Sequence, residues 1–150
     1  YIDQKAIGLI ELSSVAAGYL VTDTMLKSAN VKLLLNRTIC SGKYLILVGG
    51  DVAPVTATVE SGQSAPGGTR IDSCLIPSVG MSLFPAISGS VVIESHAALG
   101  VLESFSVAAL IESADGSCNN RNRLRQSIVS EPLHSCYYDP DASITDHPRI

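Results

Sequence analysis

The sequence predicts an α/β fold of the α+β kind: an antiparallel sheet carrying helices in a ferredoxin-like arrangement, followed by a partial second copy of the same unit. Three observations carry that expectation. Apolar runs of strand length and segments of helical spacing follow one another as β-α-β-β-α-β over residues 6–76. Cap and turn residues fall at the joints between them. An eighteen-residue stretch then returns, without gaps, 92 positions further along the chain.

Ala6 to Leu12, AIGLIEL, reads as a buried strand. Ser13 or Ser14 can cap the helix that follows, where Val15, Ala16, Tyr19, Leu20, Met25 and Leu26 recur at roughly helical spacing. Its Ala and Gly content lets it lie close on a sheet. Val31 to Ile39 is a second strand, Cys40 to Lys43 turns the chain, and Tyr44 to Val48 completes a hairpin. Two glycines end that strand, Asp51 is a natural N-cap, and Pro54 is tolerated in a first helical turn. The second helix is expected to run to about Ser64. The turn APGGT leads into a fourth strand, Ile71 to Ile76, which Pro77 stops. This order is the split βαβ pattern, with both helices expected on one face of the sheet.

The repeat sets the domain organisation. Ala6–Asp23 and Ala98–Asp115 share eight of eighteen residues: Ala, Gly, Glu, Ser, Val, Ala, Ala and Asp. Residues 5–95 are therefore expected to form one unit with its connector, and residues 96–115 the start of a second, incomplete unit. Residues 116–150 show little apolar periodicity and are expected to be irregular. A strand and helix that do not complete their own sheet must pack on the first unit or on a neighbouring chain.

Composition narrows the function classes. The 150 residues are 46% hydrophobic and 16% charged, too apolar for overall disorder. A formal net charge of −4 argues against nucleic acid as a partner, since no basic stripe faces phosphates, and Arg121–Arg125 is a short cluster in the irregular tail. No apolar run reaches the ~18–20 residues of a membrane span. The N-terminus shows no signal-peptide pattern and nothing marks secretion, so reduced thiols are expected for Cys40, Cys74, Cys118 and Cys136.

Candidate chemistry is sparse. Cys74, inside a strand, reads as a small buried hydrophobe. Cys118, His134, Cys136 and His147 match no standard zinc spacing. Asp139, Asp141 and Asp146 lack the glycine and terminal Glu of a calcium loop. Gly49-Gly50-Asp51 reads as a plain strand-to-helix turn before a phosphate cradle. Glu11 and Glu103 match across the repeat at strand ends, which suggests structure or interface before acid–base catalysis. Cys40 at a hairpin tip reads, on its residues alone, as an incidental exposed thiol, because a four-iron cluster takes about four thiolates, often from C-x-x-C spacings.

Several stretches together carry a resemblance: AIGLIEL, DTMLKSANV, TICSGKYLILVGGDVAPV, LFPAISG and ALGVLESFSVAA, in that order. Over about residues 5–115 the chain resembles the bacterial microcompartment shell proteins, and within them the tandem-domain, iron–sulfur type of propanediol-utilisation compartments. The resemblance implies the microcompartment-domain fold and a structural, non-enzymatic role in a shell within the cytoplasm. It implies cyclic tiles, homotrimers that imitate hexamers, which partner other shell proteins. It places Lys27 at the tile edge against a neighbour. It places Cys40 on the threefold axis, lining the pore with Ser41 and Gly42, where three copies would hold a 4Fe–4S cluster for electron transfer. Ser41 stands where that type has proline. The rival readings are a pore-forming tile for small metabolites without a cluster, a small ligand-binding regulatory module, and a cysteine enzyme.

Overall fold

The fold is built outward from β1 (Ala6–Leu12), every residue of which is buried. In this computed structural model, residues 5–39, 42–67, 69–89, 100–119, 127–131 and 134–139 are described. β1 lies antiparallel between β3 (Lys43–Gly50) and β4 (Arg70–Ile76), with registers running from Ala6↔Gly50 to Leu12↔Tyr44 and from Ile7↔Ile76 to Leu12↔Arg70. β2 (Lys32–Ile39) closes a hairpin with β3, giving the order β2-β3-β1-β4. That is the ferredoxin-like order expected from the β-α-β-β-α-β pattern.

Side chains alternate across a strand, so β1 feeds two cores. Ile10 and Leu12 face α1 (Val15–Ser28) and α2 (Val52–Ser64), packing with Val21, Met25, Val55 and Val59. Ile7 and Leu9 face the other way, with Leu45, Leu47, Cys74 and Ile76. Each fully buried aliphatic side chain contributes about 1.5–3 kcal/mol. α1 starts at Ser14, whose extended backbone and side-chain acceptance of the Ala17 N–H (3.3 Å) form an N-cap. Gly18 lets this helix touch the sheet: a Cβ there would stand 2.3 Å from the Tyr44 ring.

The second face is not bare. α3 (Leu83–Ile87), in the connector, and α4 (Val107–Asn119) cover it, burying Leu83, Phe84, Val107, Ala108, Leu110, Ile111 and Ala114 against the sheet. The expectation of helices on one face thus holds for α1 and α2, and the second copy's helix supplies the other layer.

β5 (Gly100–Ser104) repeats β1, and α4 repeats α1. Even the cap recurs: Ser106 Oγ accepts the Ala109 N–H at 3.2 Å, as Ser14 does for Ala17. The structure departs from the expectation of an irregular segment over 116–150. α4 runs on to Asn119, and β6 (Ser127–Glu131) and β7 (His134–Asp139) form an antiparallel pair. β7 pairs with β5 from Gly100↔Asp139 to Ser104↔Ser135, so the second sheet has the order β5-β7-β6. This reproduces β1-β3-β2. The reason is pairing: the backbone of β5 needs a ladder partner, which the polar, non-alternating sequence of β7 supplies without any periodic signal.

Candidate functional site

The β2–β3 hairpin ends on the pair Ile39↔Lys43. Cys40 and Ser41 lie outside the described residues. Gly42 has φ +84, in the left-handed region that favours glycine, and a Cβ there would meet nothing within 4 Å. Gly42 is exposed and is followed in β3 by the buried run Tyr44–Val48. Among the described residues, no three His, Cys, Asp or Glu side chains converge as a metal site.

Directly behind the turn lies a polar joint between the two copies. Glu11 is completely buried, on the β1 face that meets α4. Its Oε2 accepts the Val107 N–H at 2.9 Å, at the first residue of α4. Its Oε1 accepts from Lys43 Nζ at 2.9 Å, and the same ammonium donates to the Phe105 carbonyl at 3.0 Å. A carboxylate at a helix N-terminus meets unpaired N–H groups and the positive end of the dipole. The ammonium keeps the buried charge paired, without which it would be costly. Beside this centre Asp72 accepts from the Ser106 hydroxyl, and towards the other end of α4 Asp115 Oδ1 accepts the Gly80 N–H at 2.7 Å. Sequence reasoning singled out Glu11 but missed Lys43, Asp72 and Asp115. The signal available was the repeat itself, which aligns Ser106 with the capping Ser14.

Lys27 lies in the last turn of α1, exposed, with its ammonium 2.6 Å from Asp23 Oδ2 one turn earlier. It is far from the Glu11 joint in sequence and makes no contact with it among the described residues. Cys74 is buried in β4, where desolvation, with Glu112 and Asp72 adding negative charge nearby, pushes its thiol up to about 12. Asp51 is the N-cap of α2 with no side-chain capping bond, so Gly49-Gly50-Asp51 is a strand-to-helix turn. Of the zinc-like set, Cys118 falls in α4 and His134 and Cys136 in β7, while His147 lies outside the described residues, as do Asp141 and Asp146 of the calcium-like set.

Two clefts lie among the described residues of the first unit. One, of about 210 Å³, lies by the end of α2 and includes Leu12, Gln63, Pro66, Thr69 and Arg70. The other, of about 90 Å³, is apolar and lies between Leu34, Leu35, Phe84 and Ile87. Both are smaller than the roughly 300–1,000 Å³ of a typical small-molecule pocket. No helix among the described residues is long and apolar enough to cross a membrane.

Comparison with known proteins agrees with this architecture. The BMC domain family model matches residues 6–79. The bacterial microcompartment shell protein PduT of Citrobacter freundii is 44% identical over 118 residues, covering 79% of this chain and 64% of that protein. The chain thus spans less than two thirds of that relative's length. The shell protein PduA of Citrobacter freundii is 39% identical over 62 residues, 41% of this chain and 67% of PduA. A crystallised microcompartment protein from Desulfitobacterium hafniense superposes with a TM-score of 0.78 at 33% identity, covering 91% of this chain and 77% of that one.

Proposed function

The chain belongs to the BMC-domain family of bacterial microcompartment shell proteins, and from that premise we propose that it is a structural, non-enzymatic tile of such a shell in the cytoplasm. The tile assembles as a homotrimer that imitates a hexamer and lies beside other shell proteins. The observation that carries this reading is the placement of the two copies. The second copy's helix closes the first copy's sheet through the Glu11 joint, so one chain already contains two successive units of a head-to-tail array. Rings arise when such a heterologous contact closes on itself. The mass and symmetry of the oligomer test this.

The proposal extends to the hairpin turn. Cys40 provides one thiolate per chain to the symmetry axis, and three copies hold a 4Fe–4S cluster whose fourth corner goes to a non-protein ligand. When bound, the cluster supplies one-electron transfer across the shell. One feature of this chain fits that group: Gly42, next to Cys40 and Ser41 in sequence, is exposed with open space beside it. Symmetry can bring three copies of one thiolate together.

The test is anaerobic reconstitution with iron and sulfide, followed by visible absorption and iron analysis. The parent is expected to take up about one cluster per three chains. Cys40→Ser is expected to lose the cluster and keep its assembly, because an exposed turn contributes little packing. Equal loading of Cys40→Ser, or no broad absorption in the parent, removes the cluster and leaves a pore-forming tile for small metabolites.

A further inference from the structure

The internal repeat places one half of the Glu11 joint a second time on the molecule, unused. Glu11 corresponds to Glu103 at the 92-residue shift, and Val107 corresponds to Val15. Glu11 is fully buried and bonded to the α4 N-terminus, whereas Glu103 is exposed and has no partner among the described residues. The two helices show the converse. α4 buries Ala108 and Ile111, at 1% and 2% exposure, against the first copy's sheet. Their counterparts on α1, Ala16 and Tyr19, are exposed, Tyr19 at 66%. The Val15 N–H, the counterpart of the donor to Glu11, has no acceptor among the described residues. Among the described residues, the second copy therefore carries an unfilled socket and the first copy an unseated helix start.

We infer that Glu103 is the docking carboxylate for a second copy of this chain: it accepts the Val15 N–H at the start of α1 of the next copy, while Ala16 and Tyr19 of that copy pack behind it. The occupant follows from the molecule itself, since a Glu, a Val N–H and an Ala already meet in this order inside one chain, with Ile111 in the place of Tyr19. The contact is heterologous, socket to helix start, so each chain uses both halves and none is left over in a closed ring. The carboxylate makes a charge-assisted bond at the positive end of a helix, as Glu11 does, with His134 at the register position that Lys43 holds in the first copy. This inference rests on the tile reading and names the joint by which the tile closes.

The experiment compares the full chain with two exposed-site variants from opposite sides of the joint, Glu103→Ala and Ala16→Asp, by sedimentation across a concentration series. Far-UV circular dichroism checks that each remains folded. Each is expected to weaken assembly at least about tenfold, since one removes the accepting carboxylate and the other sets a like charge against it where Ala16 packs. The double variant is expected to fall short of the product of the two, because both act on one contact. A folded Glu103→Ala protein that assembles at the parent's concentrations overturns the joint and leaves the tile standing, and so does an unchanged Ala16→Asp protein. A monomeric parent overturns the tile, and the joint with it.

Discussion

At Cys74 a single side chain shows how environment decides what a thiol can do. Its strand is buried, and loss of hydration opposes ionisation more than any neighbouring charge does. The thiol stays protonated far above neutral pH and serves as packing, as its place inside an apolar strand indicated. The linkage follows directly. The folded-state value, about 12, lies above the ordinary 9.0, so the unfolded chain releases this proton first. The stability contribution is complete below pH 9 and is lost as pH rises through about 12. Denaturation followed across that window should show a slope up to about 1.4 kcal/mol per pH unit steeper for the parent than for Cys74→Ala. Superimposable slopes would show that Cys74 is not held protonated. Glu11 was legible only in part. Its match to Glu103 indicated an interface role, but its partners Lys43 and Val107 come from other segments and no local pattern joins them.

Among the elements, α1 joins two faces with different tasks. Gly18, Val21, Thr22 and Met25 bind it to its own sheet, while Tyr19 and Leu20 remain exposed. Lys27, in its last turn, complements the helix dipole and pairs with Asp23. Such an exposed i,i+4 pair is worth about 0.3–0.5 kcal/mol. Lys27→Glu is accordingly expected to leave the folded unit nearly as stable. If its stem packs along a neighbouring tile, the variant places repulsion at every edge, and electron microscopy should show small oligomers without extended sheets. Sheets like the parent's would make Lys27 a solvated residue bonded to its own helix. The first unit's elements were readable because apolar runs, caps and glycine turns coincide at each boundary. β6 and β7 were not, since Ser127–Glu131 and His134–Asp139 have neither alternation nor a turn glycine. Their pairing to β5 is a tertiary event, and the order β5-β7-β6 becomes visible only beside β2-β3-β1.

For the whole molecule, the repeat is the organising fact. The first copy's sheet is covered on one face by its own helices and on the other by the second copy's α4, with Glu11 tying the helix start to the sheet. The second copy presents Glu103 in the equivalent place, and the first copy presents an exposed α1 start. A chain with one filled joint and the two halves of another is suited to continue the pattern with copies of itself. Sequence alone reached the family and the repeat. The handedness of the contact, socket on one copy and helix start on the other, required the burial of Ala108 and Ile111 beside the exposure of Ala16 and Tyr19. The most direct measurement is the native mass and rotational symmetry of the purified chain at micromolar concentration. The tile is expected to run as a species of three times the 15.7 kDa chain mass with threefold symmetry. A monodisperse monomer, or a symmetric pair that buries the same surface on both chains, would contradict it.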